Sequence, residues 1–445
     1  MLEIVSTCLV ITALLAYVNH RFIGMPTTIG VMTAALVLSL LLVGLDAAGV
    51  THGLRQYEES FLRSIDSSTV LMQGMLSLLL FAGALHVDMR ALRNFRLPVI
   101  ALAVVGTLLS TFIVGFGLWI ALPFVGVAPP LSYCLLFGAL ISPTDPIAVI
   151  GILKSAGAPK DLEVVITGES LFNDGVGVVL FSLLLGVLAT GTAPTFGEGA
   201  MVVLREAGGG LAFGVALGYV TFRLLKSVDN YQVEVLLTLA AVTGGYALAN
   251  AIHVSGPLAM VVTGLIVGND GRALAMSDTT RRYVDMFWEL VDEILNAVLF
   301  VLLGMEILLV DFRPHWLVAA CVAVAVTLVA RGLSVGVPML ILERPFGLPS
   351  GSWKVLTWGG LRGGISVALA LSLPGGSERD AIVAFTYCTV LFSVLVQGLS
   401  IGYVTRTAIR RVGEQTSPAN HAPLHATALP AGDQPHRERS SEIRH

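Results

Sequence analysis

Charged residues are scarce in this sequence. They make up 13% of its 445 residues, about half the share found in an ordinary soluble domain. Long apolar runs take their place, and several reach the 18 or more residues of a helix that crosses a bilayer. The shortage of charge therefore excludes a soluble globular protein and predicts an all-α polytopic membrane protein.

Cysteine is also rare, and no two cysteines have the spacing of a metal site or a disulfide framework. The four cysteines lie in apolar segments and are expected to be small buried side chains: Cys8, Cys134, Cys321 and Cys388. A phosphate-binding loop is absent as well, so ATP does not drive this protein. We expect no cofactor and no nucleic-acid partner, and membrane lipid as the surroundings.

Thirteen apolar segments follow one another along the chain. They cover residues 2–18, 27–46, 67–88, 97–122, 130–153, 161–190, 199–225, 231–252, 256–268, 284–310, 314–342, 353–374 and 380–408. The first segment is interpreted as a retained helix, because no basic stretch precedes it as in a signal peptide. Residues 412–445 are polar and rich in Pro, His, Arg, Glu and Ser, which predicts a disordered cytoplasmic tail.

Lysine and arginine are divided unequally between the two sets of alternate loops. One set carries 16 of them and the other set carries 4. Short cytoplasmic loops hold the excess of positive charge in membrane proteins. We therefore expect an N-terminus outside the cell inner membrane and a C-terminus in the cytoplasm.

The sixth segment contains a polar motif, "TGESLFNDGVG" at residues 167–177. At about 100° per residue, Glu169, Ser170, Asn173 and Asp174 share one face of a helix. Their carboxylate, hydroxyl and amide oxygens suit a hard cation, and no His or Cys joins them to bind a transition metal. Two adjacent carboxylates inside a membrane repel each other unless they are balanced, and such residues mark ion or proton pathways.

Two other segments contain a predicted helix break. Pro143 and Pro146 flank Thr144 and Asp145 in the fifth segment, and Arg362 lies between two Gly-Gly pairs in the twelfth. Proline bars a regular helix, and unwound backbone inside a membrane is tolerated only within protein or beside water. The breaks occupy matching places in segments 1–6 and 8–13, which have opposite topology. Broken helices in inverted repeats are typical of secondary transporters.

The broken helices expose partial charges at their ends. We expect Asp145 to neutralise N-terminal ends and Arg362 to neutralise C-terminal ends. Arg331 is a second buried guanidinium that stays charged, and Glu169 is its predicted partner. Asp174 would then remain free to bind either a proton or a cation in a medium of low dielectric. That competition is itself an exchange mechanism.

Five stretches of the sequence resemble the NhaP-type sodium/proton antiporters, in the monovalent cation:proton antiporter superfamily. They are "GESLFNDGVGVVLF", "SPTDPIAV", "SGPLAMVVTGLIVGN", "FWELVDEILNAVLFVLLGME" and "GGLRGGISVAL". The resemblance implies a homodimer of 13-span subunits that contributes to pH homeostasis. It also implies a membrane domain over residues 1–411 that divides into two parts. The core would span about 97–190 and 314–408, and the dimerisation scaffold about 1–88 and 199–310.

The resemblance also assigns roles to individual residues. Asp174 would bind the ion and the proton, and Arg331 would pair with Glu169. Na+ would be held by Asp174, Ser170 and Thr144, while Asp145, Glu169 and Asn173 would build or support the site. The Asn-Asp sequence at 173–174 resembles the electroneutral branch, which exchanges one cation for one proton.

Three other interpretations stay open at this stage. Oxygen ligands do not separate Na+ or Li+ from K+, so a K+/H+ antiporter is the alternative within transport. A channel would require rings of carbonyls or charges, which are not evident. An intramembrane aspartyl protease would use Asp145 and Asp174 as a pair that shares one proton.

Asp292 and Asn296, at the amphipathic start of a segment, fit either a cation-attracting funnel or an ordinary solvated helix end.

Overall fold

The computed structural model describes residues 2–47, 74–191, 196–305 and 314–415, and the regular elements within these ranges are helices. The first half contains α1 (Leu2–Val18), α2 (Thr27–Ala47), α3 (Leu76–Leu85), α4 (Met89–Asn94), α5 (Arg96–Ile100), α6 (Thr107–Ala121), α7 (Leu131–Ile141), α8 (Ile147–Ser155) and α9 (Lys160–Thr190). The second half contains α10 (Phe196–Val203), α11 (Gly209–Leu225), α12 (Tyr231–Ala251), α13 (Gly256–Ile266), α14 (Arg272–Leu274), α15 (Asp278–Met305), α16 (Pro314–Leu342), α17 (Ser352–Trp358), α18 (Gly364–Leu371), α19 (Ser377–Phe392) and α20 (Leu399–Gln415).

Short π-helical or 3₁₀ turns connect several of these helices end to end, so that they form longer rods of continuous helix. The π-helical turns are Asn19–Ile23, Ala101–Gly106, Leu204–Gly208, Val267–Gly271 and Ser393–Gly398, and Leu122–Val125 is a 3₁₀ turn. Because such turns keep the chain helical, α5 and α6 form one rod over residues 96–125, and α19 and α20 another.

Seven helices in the described ranges are long and apolar enough to cross a membrane. Their outer surfaces carry large exposed hydrophobic side chains, such as Val215 and Tyr219 on α11 and Val329 on α16. Water would disfavour these side chains, whereas lipid accommodates them. The protein is therefore a multi-pass helical membrane protein, as the sequence predicted.

Both predicted helix breaks are present. Residues 142–146 separate α7 from α8, and residues 359–363 separate α17 from α18. In the first break, Pro143 and Pro146 remove two backbone donors. In the second, the glycines on either side of Arg362 lower the cost of leaving the helix.

The α9 helix passes beside the first break, and small residues allow the close contact. A Cβ atom added at Gly177 of α9 would collide with the ring of Pro143. On the other side of α7, a Cβ atom at Gly138 would collide with the carbonyl oxygen of Thr111 in α6. Close helix approach through small residues is the usual packing mode inside membranes, and here it places the break directly against α9.

Two expectations need correction. Cys321 is exposed on the surface of α16 rather than buried, although Cys8 and Cys134 are buried as expected. The α20 helix continues to Gln415, so residues 412–415 of the predicted disordered tail are helical. The remaining tail, residues 416–445, lies outside the described residues, as do 67–73 and 306–310 of the third and tenth predicted segments.

Candidate functional site

The two unwound segments meet and pair with each other. The backbone N–H of Asp145 donates to the carbonyl oxygen of Leu361 at 2.8 Å, in a single antiparallel bridge. Backbone groups that leave a helix inside a membrane must find partners within the protein. The bridge satisfies two of them and fixes the two breaks against each other.

Arg362 lies at the C-terminal end of α7. Its Nη1 donates to the carbonyl oxygens of Ser142 at 2.6 Å and Pro143 at 2.9 Å, and its backbone N–H donates to Ser393 Oγ at 2.8 Å. The last carbonyls of a helix carry a partial negative charge. The guanidinium therefore lies against a C-terminal helix end, which is the position that its predicted charge-balancing role requires.

Asp145 lies at the opposite kind of helix end. Its carboxylate packs against Gly363, where a Cβ atom would collide with it, and α18 begins at the next residue. The N-terminal end of a helix carries a partial positive charge. Where the two helix breaks meet, Asp145 therefore lies beside a positive helix end and Arg362 lies beside a negative one.

Glu169 and Arg331 form a buried ion pair. Arg331 Nη1 donates to Glu169 Oε1 at 2.5 Å, and its Nη2 donates to Oε2 at 3.1 Å. Only 1% of Glu169 and 6% of Arg331 is exposed. Nη2 also donates to the carbonyl oxygen of Leu356 in the last turn of α17, at 3.1 Å. This second contact was not predicted, and it means that each broken helix has an arginine at its C-terminal end.

Ser170 and Asn173 bind the unwound segment to α9 through Thr144. The hydroxyls of Thr144 and Ser170 are 2.9 Å apart. Asn173 Nδ2 donates to Thr144 Oγ1 at 2.8 Å, and Asn173 Oδ1 accepts from the Thr144 backbone N–H at 3.2 Å. These three side chains are almost fully buried and largely satisfy one another. They hold the first break in position beside Asp174.

Asp174 differs from its neighbours on α9. It is 8% exposed, and it lines a cavity of about 110 Å3, the central cavity. Within the described ranges, its carboxylate accepts no hydrogen bond and pairs with no cationic side chain. The polar residues that line the central cavity are Thr144, Asp145, Thr167, Asp174, Asp292, Asn296 and Ser366. Glu169, Ser170, Asn173, Arg331 and Arg362 lie outside this lining.

Four polar residues of the cavity wall were not assigned to the site from the sequence: Thr167, Asp292, Asn296 and Ser366. Asn296 is buried, and its Nδ2 donates to the Asp292 carbonyl oxygen at 2.8 Å. A solvated helix end is therefore the wrong interpretation for Asn296. The available signal was the spacing of Asp292, Asn296 and Leu299, which places all three on one face of α15. For Ser366 there was no signal, because a single serine in an apolar helix is common.

We expect the Arg362→Ala variant to fold less stably and to transport more slowly. It leaves the carbonyls of Ser142 and Pro143 without their charged donor, and such hydrogen bonds are worth about 1.5–3 kcal/mol. The melting temperature of the purified protein in detergent should fall, and the transport rate in vesicles should fall with it. Arg282→Ala, at an exposed position, is the matched control. Wild-type stability and activity in Arg362→Ala would exclude the proposed role at the helix end.

The fold and the site together define a class of protein. Two broken helices that cross beside a buried, unpaired carboxylate are the arrangement of a secondary transporter. The family model described as "Sodium/hydrogen exchanger, transmembrane" matches residues 9–407. The chain belongs to this family.

Individual relatives agree with the family assignment. The Na(+)/H(+) antiporter NhaP of Pseudomonas aeruginosa is 55% identical over 411 residues, which are 91% of this chain and 96% of the relative. The Na(+)/H(+) antiporter NhaH of Halobacillus dabanensis is 36% identical, covering 82% of this chain and 89% of the relative. The sequence-based identification as an NhaP-type antiporter is confirmed.

The fold also has a solved counterpart. The sodium proton antiporter MjNhaP1 from Methanocaldococcus jannaschii at pH 8 has a TM-score of 0.73, covers 91% of this chain and 97% of its own, and is 18% identical. The named relatives are transporters rather than enzymes, which removes the aspartyl protease from consideration.

Proposed function

We propose that this protein exchanges Na+ or Li+ for H+ across the cell inner membrane by alternating access. The cation and the proton compete for the carboxylate of Asp174, so that each turnover moves one of each in opposite directions. The exchange is electroneutral, and its physiological role is pH homeostasis. The relatives named as Na(+)/H(+) antiporters support Na+ and H+ as the two exchanged ions.

The main support for the proposal is that the Asp174 carboxylate has no charge partner among the described residues. Glu169 is already neutralised by Arg331, and the Asp145 carboxylate lies against Gly363 at the start of α18. Asp174 has neither compensation and faces a cavity. A buried carboxylate without a partner is expensive unless it binds a proton or a cation. One such group can hold one or the other, which gives a one-for-one exchange.

The ligands around the cation follow from the cavity wall. Asp174 supplies a carboxylate and Thr144 supplies hydroxyl and carbonyl oxygens at the break, both of which a hard cation prefers. Ser170 contacts Thr144 at 2.9 Å, and we propose it as the third Na+ ligand. Asn173 and Asp145 support the site, while Arg331 and Arg362 balance its charge.

The architecture that we propose has 13 spans in two inverted six-helix repeats, with the N-terminus outside and the C-terminus in the cytoplasm. The core over about 97–190 and 314–408 moves against the scaffold over about 1–88 and 199–310. Two subunits associate through the scaffold as a homodimer. The matching positions of the two breaks, at 142–146 and 359–363, support the repeat.

Transport by purified protein in sealed vesicles tests the proposed function. With an imposed pH gradient, Na+ or Li+ should dissipate the gradient in wild-type vesicles and not in protein-free vesicles. Clamping the membrane potential at different values should leave the initial rate unchanged, because no net charge moves. K+ that dissipates the gradient better than Na+ would instead favour the K+/H+ alternative. Proton movement without any alkali cation would exclude exchange.

A further inference from the structure

The ionisable side chains in the described wall of the central cavity are all acidic. Among its lining residues in the described part of the chain, the ionisable ones are Asp145, Asp174 and Asp292, with no lysine, arginine or histidine. One oxygen of Asp292, Oδ1, is buried and accepts no hydrogen bond from the described residues. A cavity with this wall attracts cations and excludes anions.

Ser366 is a further polar group in the same wall. It lies in the first turn of α18, two residues after this helix begins at Gly364. It is 1% exposed, and its hydroxyl oxygen has no hydrogen-bond partner among the described residues. An unsatisfied buried hydroxyl costs about 1–3 kcal/mol, so an occupant of the cavity that binds it would recover that cost.

The environment of Ser366 distinguishes it from the other serines near the two helix breaks. Ser142 and Ser393 are engaged, since Ser142 Oγ donates to the Gly138 carbonyl oxygen and Ser393 Oγ accepts from the Arg362 backbone. Ser170 is engaged with Thr144. Ser366 alone among these four faces the central cavity with its hydroxyl unused.

We infer that Ser366 is a ligand of the transported alkali cation and helps to determine which cation is selected. Its hydroxyl oxygen adds a neutral hard ligand to the carboxylate of Asp174. Neutral oxygens shape the size of a coordination shell without adding charge, so they affect the choice between Li+, Na+ and K+. This inference rests on the proposed function, because it assumes that the cavity holds the transported cation.

The test is transport kinetics of Ser366→Ala in sealed vesicles with Na+ and, separately, Li+. The KM for Na+ should rise about tenfold, which corresponds to ~1.4 kcal/mol, and the ratio of the Li+ and Na+ KM values should change. The maximal rate at saturating Na+ should remain measurable, unlike that of Asp174→Asn. Thermal stability should be unchanged or higher, because the variant removes an unsatisfied hydroxyl and alanine favours a helix.

Two further variants make the result decisive. Ser372→Ala removes a hydroxyl that donates to its own helix, at the Leu369 carbonyl oxygen, and should behave as wild type. Ser366→Thr keeps the hydroxyl and should preserve the cation preference better than Ser366→Ala. If wild type exchanges Na+ for H+ while Ser366→Ala keeps the wild-type KM and ion ratio, the ligand role is excluded and the proposed function stands. If wild type shows no exchange, the proposed function itself fails.

Discussion

Asp174→Asn should reduce cation-driven proton movement to the level of protein-free vesicles. The amide is nearly the same size as the carboxylate, but it cannot release a proton and carries no charge to bind Na+. No ion pair is lost, since the Asp174 side chain makes none with the described residues. The variant should therefore express and melt like wild type, or at a slightly higher temperature. Vesicles with an imposed pH gradient measure the loss directly.

A second acid on the same helix provides the control. Asp161 lies in the first turn of α9 and is exposed, so Asp161→Asn keeps the helix and removes a carboxylate that does not line the central cavity. It should transport at close to the wild-type rate. Full exchange by Asp174→Asn would mean that another group carries the proton, and Asp292 would be the first candidate because its carboxylate lines the same cavity.

The helix breaks and the ion pair could be predicted from the sequence for definite physical reasons. Two prolines three residues apart each remove a backbone donor and clash with the preceding turn, so the break at 142–146 could be expected from local covalent structure. Arg331 cannot lose its proton in practice, so it needs an acidic partner. Few acidic residues lie within the apolar segments at membrane depth. Glu169 was the first choice among those acids and the partner that the family resemblance implies, and the contacts at 2.5 and 3.1 Å agree with it.

The shape of the cavity could not be predicted in the same way. Helical spacing places Glu169, Ser170, Asn173 and Asp174 on one face, yet only Asp174 lines the central cavity. Which polar groups satisfy each other depends on the partners that packing brings, and Thr144 engages two of these four. The contribution of α15 depends on tertiary packing as well, because Leu299 lies against Gly364 only after both helices have assembled.

Breaking the Glu169–Arg331 pair from either side should destabilise the protein strongly. Glu169→Gln leaves a guanidinium buried without its counter-ion, and Arg331→Gln leaves a carboxylate in the same condition. Removing one partner of a buried ion pair costs about 3–5 kcal/mol. Each single variant should therefore lose several degrees of melting temperature in detergent, with a matching loss of folded protein. The double variant removes both charges together and should recover part of the loss.

A half-buried ion pair at the surface of the same protein sets the scale for this experiment. Arg272 contacts Asp285 with 20% and 33% of their side chains exposed, and pairs of that kind contribute about 0–1 kcal/mol. Asp285→Asn should therefore shift the melting temperature far less than Glu169→Gln. If the two variants shifted it equally, burial would not be what makes the Glu169–Arg331 pair important. If the double variant lost as much as the two single variants combined, the two residues would act independently rather than as a pair.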